Sequence, residues 1–309
     1  MNDRMIFRKW CAERKDIPLF LRDFWWDAVA PDLWEVWTFD EAAGQAFFVF
    51  LPGHKPGLRY VIPPQLTPCQ GFWQLSGDSE FFASCQQQVA GRLNSLGLSL
   101  TELNVAPGVV LDRFESLGYR RTQRVTYRLS DLTDPQRLWQ GFGADKKGKI
   151  NKGERLGLKL LEGVGPEAFY AFMQRDHGQI WYSPGFFSRL CEQICPHHGE
   201  ILAAADAEGR CLAAAFFVWD DTTVYYLCCA IPRAYRSTGA SAWLVWQALR
   251  RYAHRGFQCF DFEGSMVESI AFSFGRFGAT PVPFDKWQKK NWLGALALQL
   301  KAIKDKISR

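Results

Sequence analysis

The stretch "YRSTGASAWLVWQALRRYAHRGFQCFDFEGS", residues 235–265, decides how this chain is read. It opens on a loop of small residues and passes into a segment whose polar stripe is only Gln247, Arg250, Arg251 and His254. A stripe that narrow predicts a helix buried on more than one side, with its N-terminus pointing into the protein. First-turn N–H groups lack helical partners and carry partial positive charge. Arg236 adds a full charge, Gly239 lets the backbone approach closely, and Ala240 and Ser241 are small enough to leave room. Arg236, Ser237, Thr238, Gly239, Ala240 and Ser241 are therefore a candidate pyrophosphate cradle. In the strand that follows, alternation puts Cys259, Asp261 and Glu263 on one face and Phe260 and Phe262 on the other. Two acids facing a partly apolar crevice would have raised pKa values, as a base that deprotonates an amine needs. A turn-capping or Arg-pairing role for Glu263 is the competing reading.

The same order of elements occurs earlier in the chain. SEFFASCQQQVAGRLNSL, from Ser79, reads as an amphipathic helix with a Ser cap, followed by a short strand, a short helix closed by FESLG and the alternating strand YRRTQRVTYRL. The later half gives ASAWLVWQALRRYAHRG, FQCFDFE, SIAFSFGRFG and ATPVPF, and the segments Phe114–Gly118 and Phe274–Gly278 match in place. Ahead of each main helix lie strand-like segments (LWEVWTF, GQAFFVFLP and LRYVIPP; EILAAADA, CLAAAFFVWD and TTVYYLCCAIP) separated by turn signals. An internal duplication follows, each half β-β-β-helix-β-helix-β, a mixed α/β (α+β) class with boundaries expected at 1–133 and 134–309. Where the second half carries the small-residue loop, the first has Ser76-Gly77-Asp78-Ser79-Glu80, whose acids repel a phosphate. Only the second half is expected to bind a donor.

Composition sets the outer limits. Of 309 residues 48% are hydrophobic, with 25 Phe and 13 Trp, which supports a sizeable core and excludes a disordered chain. The charged start MNDRMIFRKWCAERKD is unlike a signal peptide, and no apolar run approaches the length of a spanning helix. The nine cysteines then read as reduced thiols, and the expected location is cytoplasmic. Cys191-x3-Cys195-Pro-His197-His198 has no second ligand pair at zinc-site spacing, so no metal is expected. Between Tyr119 and Leu160 there are eleven Lys or Arg against four Asp or Glu, either a surface for an anionic partner or a solvated linker. In the tail, Trp292, Leu293, Leu296, Leu300, Ile303 and Ile307 recur at helical spacing among Lys289, Lys290, Lys301, Lys304 and Lys306. Such a helix either docks on its own domain, the favoured expectation, or makes peripheral contact with an anionic membrane.

The strand, the R-x-x-G-x-S loop at Arg236, Gly239 and Ser241, the helix, and the short helix ending Phe-Gly together resemble the donor-binding half of the GNAT acyltransferase superfamily. Ser241 stands where that loop usually has Gly or Ala. With "FDFEGSMVESIAFSFGRFGATPVPF" and the doubled layout, the chain is similar to BioF2-like acetyltransferases and to the Fem peptidoglycan aminoacyltransferases, the motif match lying within residues 232–284. The resemblance implies two tandem GNAT-like domains, each a mixed sheet flanked by helices, and acyl transfer to an amine or precursor acceptor. It implies acyl-CoA (acetyl-CoA or longer) as co-substrate, with the loop holding its pyrophosphate and Glu263 or Asp261 accepting the proton. The alternatives are a Fem-like transferase using aminoacyl-tRNA on a peptidoglycan precursor, with the basic region 120–159 holding the RNA, and a non-catalytic ligand-binding protein.

Overall fold

The computed structural model describes residues 2–307 except Gln179 and Ser265, and not the side chains of His177 and of residues 304–307. Ser265 and the side chains of Lys304, Lys306 and Ile307, all singled out above, thus lie outside the described residues. The chain divides into two compact units, Met1–Arg124 with Pro283–Arg309, and Val125–Val282. This partition is not the linear one at residue 133, because each half ends on a strand that pairs in the other half's unit.

The first unit begins with helices α1 (Asp3–Glu13) and α2 (Asp23–Val29), which the strand-based reading did not include. Strands β1 (Glu35–Glu41) and β2 (Gly44–Phe50) form a hairpin; β3 (Pro52–Lys55) and β4 (Leu58–Val61) form a second one inserted into the repeat. β5 (Gly71–Gly77) pairs with β2, and its Gly44↔Gly77 register leads straight into α3 (Ser79–Ser95). β6 (Leu100–Asn104) and β7 (Arg120–Leu129) follow, and the segment closed by Phe114–Gly118 is a turn rather than the expected short helix. Phe48, Phe72, Phe82, Val89 and Phe114 pack between sheet and helix as the unit's core.

In the second unit, α4 (Pro135–Gly141) and α5 (Ala144–Arg155) arise from the basic stretch. Then come β8 (Lys159–Leu161), α6 (Pro166–His177), α7 (Pro184–His198), β9 (Gly199–Ala205), β10 (Cys211–Trp219), β11 (Thr223–Ala230), α8 (Ala240–His254), β12 (Cys259–Asp261) and α9 (Glu268–Gly275). The strand order is β7-β12-β11-β10-β9-β8, antiparallel except for the β11–β12 pair that flanks α8. α8 buries Trp243, Leu244, Val245, Leu249 and Tyr252 against Phe217, Val224 and Phe260, and burying this much apolar side chain is the main stabilisation of the unit. The expected polar stripe of α8 is present: Arg250 and His254 are exposed.

β13 (Thr280–Lys290) and α10 (Trp292–Ile307) close the chain. β13 returns to the first unit, where Lys286–Lys290 pair antiparallel with Asn104–Leu100 of β6 and Trp287 enters the core beside Phe114. The C-terminal helix, expected with the second half, therefore belongs to the first unit. No helix of the described residues is long and apolar enough to cross a membrane.

Candidate functional site

The site is built on the parallel pair at the centre of the second unit. β11 and β12 pair only at Thr223↔Cys259, Val224↔Phe260 and Tyr225↔Asp261, while β11 continues to Ala230. On its other side β11 stays paired with β10 as far as Ala214↔Ala230, with a register shift that leaves Leu227 without an opposite residue. A bulge increases local twist and bends its strand, and the ladder with β12 ends at Tyr225↔Asp261, where β12 itself stops. The carboxyl ends of neighbouring parallel strands, with a helix N-terminus following one of them, are where open sheets bind ligands.

The loop from β11 into α8 carries the six predicted residues. Gly239 caps α8 at φ 85°, the left-handed region glycine adopts at no steric cost, and itself offers the helix no side-chain acceptor. Thr238 Oγ1 accepts from Ala240 N at 3.2 Å and donates to the Tyr235 carbonyl at 2.6 Å. By contrast α3, in the corresponding place of the first unit, is capped by the Asp78 carboxylate, which accepts from Phe81 N at 2.8 Å. The expected contrast between halves thus has a structural form: an acid occupies one helix N-terminus and none caps the other. The Ser241 side chain and that of Cys229 reach the buried Tyr226 hydroxyl, whose pKa burial raises.

Two expectations about the loop change. Gly239 does make a close approach, but to α5: a Cβ there would overlap the Lys149 carbonyl. A substitution such as Gly239→Asp would disturb packing as well as any ligand. Arg236 is not a free charge, since its guanidinium pairs with Asp176 of α6 at 2.9 Å and donates to the Ile231 carbonyl at 3.2 Å. The Asp176 carboxylate also accepts from Ile231 N at 2.7 Å, so this ion pair pins the end of β11. Positive charge beside the loop comes instead from α5, where Lys152 Nζ donates to the Ser237 carbonyl at 2.7 Å and Lys149 is exposed. Helix α5 is packed onto α8 by Gly153, which leaves room only for Trp243, and by Glu154, which accepts from Trp243 Nε1 at 2.8 Å. Lys146, on the buried face of α5, donates to Ser273 Oγ at 2.6 Å and lies 4.5 Å from the Phe277 ring; burial, then Lys149, pushes its pKa down to about 8.

Asp261 and Glu263 are brought together, though not by strand alternation. β12 stops at Asp261, whose carboxylate accepts from Arg128 Nε at 2.6 Å, from Thr126 Oγ1 and from the Glu263 N–H at 2.8 Å. That last bond curls the chain, so that Glu263 takes φ 61° and Gly264 φ 66°. Gly264 is obligatory, because a Cβ there would overlap the Val125 carbonyl of β7. Asp261 is buried with its acceptor capacity committed to three donors, which makes it a positioning group. Glu263 is half-buried, and burial first, then the Asp261 charge, raises its carboxyl well above the usual range against the opposing pull of Arg128. Desolvation with a specific charged neighbour at a strand end marks an acid–base candidate. Burial also raises the Cys228 and Cys229 thiols, leaving them neutral rather than nucleophilic. Asp176, Thr126, Arg128 and Lys152 were not singled out by sequence; nothing local distinguishes them from surface or strand residues.

Residues 160–267 match the family described as Acetyltransferase (GNAT) domain. No curated protein matches the sequence. Among solved structures the fold is similar to FemX, with a TM-score of 0.65 at 12% identity over 92% of this chain and 96% of that one. It is similar to the C-terminal domain of a putative lysylphosphatidylglycerol synthetase from Agrobacterium fabrum, with a TM-score of 0.61 at 13% identity over 96% and 95% of the two chains. It is also similar to a tandem GNAT protein from the clavulanic acid biosynthesis pathway, with a TM-score of 0.54 at 12% identity over 93% and 94%.

Proposed function

We propose that this chain, a member of the GNAT superfamily in its tandem form, transfers an acyl group from an acyl-CoA-type thioester to an amine in its second unit. The observation that carries the reading is the end of β11–β12 pairing at Tyr225↔Asp261, with the N-terminus of α8, which no acid caps, after one strand and the Glu263 carboxyl after the other. The first-turn amides of α8, the Thr238–Ser241 backbone and the Lys149 and Lys152 ammonium groups would hold the donor's diphosphate. Arg236 would hold the loop itself through Asp176. The end of β11 from Cys228 to Ala230, beyond its pairing with β12, would orient the thioester carbonyl toward Glu263.

In the transfer the amine nitrogen attacks the carbonyl carbon, the C–N bond forms as the C–S bond breaks, and the thiolate leaves. Glu263 accepts the amine proton when ionised, and its raised pKa places it closer to an amine's than an ordinary carboxyl. Asp261, paired with Arg128, accepts from the Glu263 N–H and fixes its backbone, and its charge adds to burial in raising the Glu263 pKa. Loss of a positioned general base lowers turnover by about two to four orders of magnitude. Glu263→Gln is therefore expected to reduce thiol release from acetyl-CoA with an amine acceptor by that amount while donor binding persists. Near-normal turnover would assign the proton to water or to the substrate.

A second reading, transfer from an aminoacyl-tRNA, is favoured by one feature: α5 displays Lys149, Lys152 and Arg155 to solvent beside the loop. A larger polyanion would use the same face. Binding of charged tRNA in preference to acyl-CoA would move the proposal there, and binding of both donors without turnover would leave a ligand-binding protein.

A further inference from the structure

The C-terminal helix is anchored to the first unit by one end and one face only. Asn291 N donates to the Ser99 carbonyl at 3.1 Å, and its side chain caps α10 by accepting from Gly294 N at 3.0 Å. Gly294 is buried so closely on the end of β6 that a Cβ would overlap the Ser99 carbonyl. Leu293 and Leu298 are half-buried on that side. The opposite face is a different matter. Trp292, Leu296, Leu300 and Ile303 are 73%, 46%, 59% and 55% exposed, and their spacing of four, four and three residues makes them a single stripe. The docking favoured from sequence is thus limited to the helix base, and the large apolar side chains face solvent.

We infer that α10 lies in the plane of an anionic lipid surface, with this stripe at the boundary between headgroups and acyl chains. Two observations select that occupant. Among the described residues no helix is long and apolar enough to cross a membrane, and exposed Lys301 stands between Leu300 and Ile303 of this one, which suits a helix lying on a bilayer. The segment from Lys286 to Arg309 holds seven Lys or Arg and one Asp; Lys286 pairs with Glu102 and Lys289 bonds Asn94, while Lys290 and Lys301 are exposed. A cationic segment carrying an apolar stripe complements anionic headgroups. The same net charge opposes a second copy, because pairing two such segments would bring like charges together. Four side chains on one helix give reversible, salt-sensitive binding, as expected of a single interfacial signal. For the proposed transfer this would place the acceptor at a lipid surface, although the inference stands on α10 alone.

The test is co-sedimentation of the full-length chain with phosphatidylglycerol-containing vesicles and with phosphatidylcholine vesicles, at low and high salt. The expected result is pelleting with anionic vesicles that falls at least about tenfold on neutral ones or at high salt. The variant L296D/L300D should lose binding by a similar factor with its melting temperature unchanged, because both side chains are solvent-exposed. No pelleting with anionic vesicles overturns the inference, as does undiminished pelleting of the variant. Sedimentation velocity without lipid covers the remaining occupant: a dimer abolished by the same two substitutions assigns the stripe to a second copy instead. Donor binding by calorimetry is independent of these outcomes, so failure here leaves the transferase reading in place, and failure there leaves this one.

Discussion

Replacing Asp261 by Asn should both weaken the second unit and retune Glu263. The Asp261 carboxylate is 3% exposed and accepts Arg128 Nε at 2.6 Å, Thr126 Oγ1 and Glu263 N, so the substitution strands a guanidinium and swaps one acceptor oxygen for a donor. Removing one partner of a buried ion pair costs about 3–5 kcal/mol. Arg128 is 26% exposed, so water recovers part of that, and about 2–3 kcal/mol is expected here. At a sensitivity of about 2–4 °C per kcal/mol, the melting temperature should fall by roughly 5–10 °C. The charge change has a second consequence of defined sign. Asp261 raises the Glu263 pKa and Arg128 lowers it, so neutralising Asp261 moves the Glu263 titration down. The ascending limb of the pH–rate profile should therefore shift to lower pH, a response that a purely structural role would not give. Differential scanning calorimetry and acyl-transfer rates across pH read both effects. A melting temperature within about 1 °C of wild type, or a limb that stays put or moves up, would refute the reasoning.

Further consequences are equally direct. Gly264→Ala combines φ 66° with overlap on the Val125 carbonyl and should destabilise by about 2–4 kcal/mol in denaturant titration, whereas Gly97→Ala, at φ 62° with open space around it, should cost only about 1 kcal/mol. Glu263 binds a proton in the folded state above the pH, about 4.3, at which an unfolded glutamate releases it. Stability should therefore fall as pH rises from there through the raised folded pKa, and Glu263→Gln should flatten that segment of the pH–melting curve. Lys146 has the opposite sense: its folded pKa of about 8 lies below the ordinary 10.5, so stability should climb with pH between those values, and Lys146→Met should remove the climb.

How much was legible in the sequence follows from how local each feature is. The narrow polar stripe of α8 and the small-residue loop before it are local patterns, and both elements stand where periodicity put them. The cap of α3 was read one residue late: Ser79 has a capping side chain, but the Asp78 carboxylate before it takes the Phe81 N–H and Ser79 becomes the first helical residue. The exchange of β7 and β13 between units was not readable, because pairing such as Trp287↔Leu103 joins residues far apart in sequence and leaves no trace in either. Helix α5 was hidden by its composition: Gly148 and Gly153 are poor helix formers, and packing of Gly153 under Trp243 holds the helix instead. Glu263 was assigned to the right neighbourhood by the wrong route. Alternation extends a strand, but the Asp261 carboxylate captures the Glu263 N–H and ends it.

The central claim is that the α8 N-terminus and α5 hold a thioester donor's diphosphate where the β11–β12 pairing ends. Isothermal titration of the full-length chain against acetyl-CoA, longer acyl-CoAs and charged tRNA, repeated with K149E/K152E, tests it most directly. Both lysines are exposed, and only Lys152 makes a bond to the loop, to the Ser237 carbonyl, so the double variant should stay folded with a melting temperature lowered by no more than the loss of that one bond, about 1 kcal/mol. The account predicts one acyl-CoA site per chain, with affinity reduced at least about tenfold by the double substitution. No acyl-CoA binding, or binding that the two charge reversals leave untouched, would contradict it.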